Sequence, residues 1–159
     1  MAQLNLNPVN GIIQEIHRLL EDDCCNHMVT LETGDGVVNF TVKFDTYVIN
    51  EVRLKEGMAV TAFYDATMPI PLIYPPQYQA IIVGQRNQDE SIIATYLNPD
   101  MTASDNSIKI NIGPDTEIVA TNGQPYTCGI TNRFILVYYS VTTRSIPPGT
   151  TPRKIIVPC

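Results

Sequence analysis

The sequence predicts an all-β fold with two small β-barrels in tandem. Apolar and polar residues alternate with a period of two in many short segments, and β-branched residues are frequent in them. Turns rich in glycine and asparagine separate these segments. Similar short sequence segments also recur in the same order in the two halves of the chain, which predicts a duplicated unit. The alternative is a single β-barrel or sandwich with extra C-terminal strands.

The composition predicts a folded protein and excludes several classes of function. Of 159 residues, 44% are hydrophobic and only 16% are charged, so the chain has enough apolar surface to form a core. The net charge is −6, and Arg153-Lys154 is the longest basic run, so nucleic-acid binding is not expected. No apolar window is long enough to span a membrane. The N-terminus lacks a secretory signal, which predicts a cytoplasmic protein, or a cell-surface one if the chain is processed.

Eleven strands are expected from this alternation, and turn residues separate several of them. Gly34-Asp35-Gly36 and Asn122-Gly123 are the two strong hairpin signals. The segment 12–20 also fits an amphipathic helix, but its likeness to a segment of the second half favours a strand. The expected strands are 11–16, 27–33, 37–43, 46–50, 58–64, 78–83, 91–97, 107–112, 117–121, 134–142 and 154–157.

The internal repeat defines two domains. Four segments of the first half, 11–16, 44–49, 63–67 and 79–83, match 91–96, 114–119, 138–142 and 153–157 in the second, with offsets from 70 to 80. The polar stretch Gly84–Glu90 separates the two copies. We therefore expect one barrel over residues 8–84, with a Pro/Tyr-rich loop at 66–78. The second barrel covers residues 85–159, with a shorter proline loop at 144–152.

The pattern of the first unit resembles that of a known kind of domain. It has an opening Gly11-Ile12-Ile13, a hairpin, Asp45-Thr46 before a strand, Leu54 to Val60 around a turn glycine, and a final Ala80-Ile81-Ile82-Val83. This resembles the small OB-like β-barrel domains of unknown function found in bacterial proteins, here in tandem. The resemblance covers residues 9–83 and, less closely, 91–157, and it implies a barrel but no activity.

The Pro/Tyr-rich loop (residues 66–78) is the strongest candidate site. Its prolines fix φ and bias the preceding residues toward extended conformations, so the loop is expected to be stiff and to bind at low entropic cost. We expect a partner, either an unknown protein or a second copy of the chain, to contact Tyr64, Pro71, Tyr74, Pro75, Pro76 and Tyr78. The loop could instead plug the barrel or line a small-ligand pocket.

No catalytic pattern is present, and the chain is predicted to be a non-catalytic binding or assembly module without a cofactor. The two histidines, His17 and His27, lie in no nucleophile motif, and phosphate and dinucleotide loops are absent from the sequence. One alternative is a metal- or thiol-redox-responsive protein using Cys24, Cys25 and His27, although their spacing is unusual for a metal site. Another is the binding of an oligosaccharide or single-stranded nucleic acid on a barrel face.

Overall fold

A computed structural model describes residues 5–87 and 89–159, which form two compact units, one of residues 6–87 and one of residues 89–159 together with Asn5. The described residues contain β-strands and one short 3-10 turn, Ile49–Glu51, but no α-helix. The all-β prediction is therefore confirmed. The strands of the first unit are β1 (Leu6–Arg18), β2 (His27–Thr33), β3 (Gly36–Val42), β4 (Tyr47–Val48), β5 (Ala59–Asp65), β6 (Gln77–Gln79) and β7 (Ile82–Gln85).

The long strand β1 organises the first unit. Its first half, to Ile12, pairs with β5, and its second half pairs with β2, both antiparallel, and a bulge lies between Ile13 and Glu15. A Cβ built on Gly11 would lie only 2.9 Å from the backbone oxygen of Glu32, so β1 and β2 approach closely there. The segment 12–20 therefore begins as a strand, as its likeness to the second half predicted. One face of the sheet buries a core of Ile13, Val29, Leu31, Phe40, Val60, Ala62, Ala80 and Val83.

The first unit is one seven-stranded sheet in the order β4-β7-β5-β1-β2-β3-β6. Its edge strands, β4 and β6, do not pair with each other, so no ladder of hydrogen bonds closes the described sheet into a barrel. The described residues of the second unit form two separate sheets and no closed barrel either, so the prediction of two closed barrels is wrong. The two edges are nonetheless joined through the chain, because only residues 80–81 separate β6 from β7. The Ala80 N–H donates to Thr41 O (3.0 Å), beside β6, and the Ile81 N–H donates to Phe63 O (2.8 Å) on β5.

The second unit is smaller and contains two sheets. Its strands are β8 (Ser91–Tyr96), β9 (Lys109–Ile110), β10 (Glu117–Ala120), β11 (Phe134–Tyr139), β12 (Gly149–Thr150) and β13 (Lys154–Val157). The four-stranded sheet has the order β10-β13-β11-β8, and β9 pairs with β12 in a two-stranded sheet. These strands pack around a core of Leu97, Ala103, Ile108, Ile110, Ile130, Ile135, Val137, Ile155 and Val157.

The two units share a strand arrangement. In the first unit, β4 and β7 are parallel, β7 and β5 antiparallel, and β5 and β1 antiparallel. In the second, β10, β13, β11 and β8 follow the same order with the same directions. The parallel pair β3-β6 likewise corresponds to the parallel pair β9-β12. Equivalent positions can therefore be compared between the units.

Candidate functional site

A groove lies between β5 and β6, beneath the Pro/Tyr-rich loop, and has a volume of about 280 Å³. We call it the β5–β6 groove. The ends of β5 and β6 form its floor and the loop forms one wall. Leu19, from the connection between β1 and β2, also lines it. This volume is just below the roughly 300–1,000 Å³ typical of small-molecule sites, and it suits one or two side chains.

Two stacked tyrosines form the aromatic part of the floor. Tyr64 on β5 and Tyr78 on β6 have ring centroids 4.1 Å apart and planes inclined by 18°, and the buried Phe40 ring lies 5.5 Å from Tyr78. Register explains this cluster, since Phe40 and Tyr78 are opposite each other in the β3-β6 pair. Burial raises the pKa of Tyr78 above its ordinary value of 10.0, and the neighbouring Tyr64 raises it further. The Tyr78 phenol is therefore neutral at physiological pH.

The rest of the floor is polar and mixed in charge. Thr41, Lys43 and Asp65 line it together with Gln77 and Gln79 of β6. One oxygen of the Asp65 carboxylate accepts hydrogen bonds from the N–H (2.9 Å) and hydroxyl (2.7 Å) of Thr67, which lower the pKa of Asp65. This turn fixes the point at which the loop leaves β5. A groove with apolar rings and both donors and acceptors suits a ligand that is itself amphipathic.

The Pro/Tyr-rich loop carries a run of exposed apolar side chains. Large hydrophobic residues that are exposed to solvent occur at five of its positions between 68 and 74, namely Met68, Ile70, Leu72, Ile73 and Tyr74. Tyr74 is 86% exposed, and Leu72 is fully exposed. Contiguous apolar surface of this kind is typical of interaction sites. The tip of the loop therefore does not act as a plug for the sheet.

The structure separates the six predicted site residues into two groups. Tyr64, Pro71 and Tyr78 line the groove. Tyr74 lies outside it, and its hydroxyl is 3.9 Å from a Cβ built on Gly36 in the hairpin between β2 and β3. Pro75 and Pro76 are half-buried, and Pro76 O accepts a hydrogen bond from Asn39 N (2.9 Å), which holds the start of β6 against β3.

Sequence reasoning did not select several groove residues. Leu19, Thr41, Lys43, Gln77 and Gln79 come from three separate parts of the chain, and only the pairing of β3 with β6 brings most of them together. The sequence feature that could have indicated the groove residues of β6 is the pair of prolines directly before Gln77, because Pro-Pro before a short polar strand is compatible with an edge strand.

The second unit has a groove at the equivalent place. It has a volume of about 470 Å³ and lies between the β9-β12 pair and residues 141–143. The described residues that line it include no aromatic side chain, and threonine predominates: Thr142, Thr143, Thr150 and Thr151. The two grooves therefore share a position but differ in chemistry.

Of the residues considered as metal ligands, Cys24 and Cys25 lie in the connection between β1 and β2, and His27 is the first residue of β2. Cys24 and Cys25 are free, exposed thiols. The carboxylate of Asp23 between the strands accepts the side-chain amide of Asn26 (2.8 Å) and the N–H of Cys25 (3.1 Å), which lower the pKa of Asp23. Across residues 5–87 and 89–159, no group of three or more His, Cys, Asp or Glu side chains is arranged to hold a metal ion.

Comparison with known proteins gives no relative. No protein-family model, curated protein or solved structure matches the chain. Within the described residues, no helix has the length and apolar character needed to cross a membrane.

Proposed function

We propose that this protein is a non-catalytic binding module whose Pro/Tyr-rich loop and β5–β6 groove bind a polypeptide with exposed apolar side chains. The observation that carries the proposal is the run of exposed apolar residues from Met68 to Tyr74 beside the stacked Tyr64 and Tyr78. A soluble partner that covers this run removes apolar surface from water, and full burial of one leucine-sized side chain contributes about 1.5–3 kcal/mol. A stiff loop loses little entropy on binding.

We further propose that each unit is an OB-like unit. The five-stranded barrel of OB folds is partly open, and it binds ligands with the loop that follows its first strand and the loop that follows its fourth strand. In the first unit, the connection at 19–26 and the Pro/Tyr-rich loop correspond to these loops, and Leu19 and Met68 from them both line the groove. The short link at Ala80-Ile81, bonded to both β3 and β5, supports this interpretation.

We propose also that the two units arose by duplication. The shared strand order supports this, and so does a matching detail. The hydroxyls of Thr46 and Thr116 each accept a backbone N–H three residues earlier (2.9 and 3.1 Å). They then donate to Ala80 O and Pro152 O (2.9 and 2.7 Å), just before the last strand of each unit. Two independent domains have no physical need to repeat this arrangement.

The binding proposal is tested with an array of dodecapeptides, an array of oligosaccharides and the oligonucleotide (dT)12. We expect peptides with apolar side chains to bind, and the double variant Leu72→Ser/Tyr74→Ser to bind them at least about tenfold more weakly. The matched control is Ile146→Ser, because Ile146 is as exposed as Leu72 and precedes a proline as Tyr74 does, but lies in the second unit.

Three results would overturn the binding proposal. They are binding of only sugars or only the oligonucleotide, unchanged peptide affinity in Leu72→Ser/Tyr74→Ser, and an equal loss in Ile146→Ser. The first result would favour the oligosaccharide or nucleic-acid alternative. The second would leave the loop a purely structural role.

A further inference from the structure

We propose that the open edge of β6 pairs with an extended peptide backbone, in the way that the equivalent strand of the second unit pairs with its own loop. This inference deepens the proposed function and rests on it, because it names how the β5–β6 groove holds a peptide. The bound peptide places a threonine or serine opposite Gln77.

In the second unit, β12 is paired on both sides. On one side, Pro148 O accepts the N–H of Lys109 on β9 (2.8 Å). The polar backbone groups of the next residue, Gly149, therefore face the other side. There the N–H of Thr143 donates to Gly149 O (2.8 Å), and the N–H of Gly149 donates to Thr143 Oγ1 (2.9 Å). The loop of this unit thus covers the free edge of its own strand.

In the first unit, the equivalent edge is open. Pro76 O accepts the N–H of Asn39 on β3 (2.9 Å), as Pro148 O does with Lys109, so the N–H and C=O of Gln77 face away from β3. Among the described residues, neither group has a hydrogen-bond partner, and β6 is an edge strand of its sheet. Edge strands with free N–H and C=O groups are templates for pairing with another chain.

The first unit cannot cover this edge with its own loop as the second unit does. Its connection, residues 66–76, is two residues longer than the equivalent 140–148. Met68 is the counterpart of Thr143, because each lies five residues after the residue, Phe63 or Tyr138, whose carbonyl accepts the N–H of Ile81 or Arg153. The Met68 N–H, however, donates to Asp65 O (3.2 Å) within a turn. Pro69 and Pro71 have no N–H to offer. The loop therefore arches over the groove and leaves Gln77 available.

The chemistry of the groove fits an extended peptide. The N–H of a bound residue would donate to Gln77 O, and its hydroxyl would accept the Gln77 N–H, as Thr143 does with Gly149. Neighbouring apolar side chains would then contact Met68, Ile70 and the Tyr78 ring, which line the same groove. Successive side chains of a strand point to opposite faces. A bound peptide can therefore pair with Gln77 through one residue and contact the apolar part of the groove through neighbouring residues.

The experiment uses the peptide acetyl-Ser-Val-Thr-Thr-Arg-amide, which copies residues 140–144 of the chain, with ¹⁵N-labelled full-length protein. We expect saturable binding with the largest amide shift at Gln77. A peptide N-methylated at its second threonine should bind at least about tenfold more weakly, because it loses the N–H that pairs with Gln77 O. A peptide with valine in place of that threonine should also bind more weakly.

Two protein variants separate backbone from side-chain contacts. Gln77→Ala keeps both backbone groups but shortens a side chain that lines the groove, so it should weaken binding by less than Gln77→Pro does. Gln77→Pro removes the N–H that faces the groove without removing a bond to β3, and should weaken binding to the same degree as N-methylation. If Gln77→Pro does not fold, the N-methylated peptide decides the question by itself.

The pairing is overturned if the methylated and unmethylated peptides bind equally, if the shifts lie away from Gln77, or if no saturable binding occurs. Its failure is distinct from that of the proposed function. Array peptides that bind through Leu72 and Tyr74 but are insensitive to N-methylation would retain the binding module and exclude the edge pairing alone.

Discussion

Tyr64 and Tyr78 stack with their ring centroids 4.1 Å apart, although their strands, β5 and β6, share no ladder of hydrogen bonds. The stack exists because the segment 77–82 passes from pairing with β3 to pairing with β5 within a few residues. The Ile81 N–H donates to Phe63 O where this segment reaches β5. The two rings therefore bridge strands that lie far apart in the sheet order. They link the stability of the first unit to the shape of its groove.

The aromatic stack is expected to stabilise the first unit. Tyr78→Ala removes the contacts of its ring with both Tyr64 and Phe40 and should lower the free energy of unfolding by about 2–4 kcal/mol. Tyr78→Phe keeps the ring and should change it by less than about 1 kcal/mol. Urea denaturation followed by circular dichroism measures both. Equal losses in the two variants would mean that the hydroxyl, not the stacked ring, carries the stability.

The raised pKa of Tyr78 predicts a loss of stability at alkaline pH. Below the ordinary pKa of 10.0, the Tyr78 phenol is neutral in both the folded and the unfolded protein, so its contribution to the free energy of unfolding is fully present there. Above pH 10 the unfolded chain ionises first, and the free energy of unfolding falls until the pH passes the folded pKa. Tyr47, whose pKa burial also raises, acts in the same direction. The fall above pH 10 should be smaller in Tyr78→Phe, and identical slopes would contradict the interpretation.

The contact between Thr143 and Gly149 is expected to hold the loop of the second unit on its strand. Thr143→Val removes the oxygen that accepts the Gly149 N–H and should destabilise the protein by about 1 kcal/mol. The amide of Gly149 should also exchange with deuterium faster. Thr142→Val, at an exposed neighbouring position, is the matched control and should leave both measurements nearly unchanged. Unaltered exchange at Gly149 in Thr143→Val would show that this edge is covered by other means.

An ion pair in the second unit is expected to contribute to stability. Arg153 donates to both carboxylate oxygens of the buried Glu90 (2.9 and 3.0 Å), and its guanidinium lies 5.1 Å from the centre of the Tyr138 ring. Glu90→Ala should cost about 1–2 kcal/mol, toward the lower end for charged hydrogen bonds because Arg153 is half-exposed.

The control for this ion pair is Glu117→Ala. The Glu117 carboxylate is largely exposed and 3.5 Å from Lys154 Nζ, so its loss should cost less than about 0.5 kcal/mol. Comparable urea midpoints for the two variants would rule out a special contribution of the Glu90–Arg153 pair.

Local pattern determined the strands that could be found from the sequence. The segments 27–33 and 154–157 form β2 and β13 over the same residues, because alternation and β-branched content act within a few residues. Strand β12 (Gly149–Thr150) was missed, since it is two residues long and follows prolines, and its pairing with β9 exists only in three dimensions. The predicted strand 134–142 also extended too far, because β11 ends at Tyr139 and residues 140–142 turn toward β12.

The sequence by itself determined that the chain is all-β, that its turns contain glycine, and that an apolar loop rich in proline lies between two strands. These properties depend on neighbours along the chain. Only the tertiary structure decided that Tyr64 meets Tyr78 and that Tyr74 lies outside the groove. It also decided that the backbone groups of Gln77 have no partner among the described residues, while those of Gly149 are paired. Each of these depends on strand register and on the path of a loop, which are set by hydrogen bonds between residues distant in sequence.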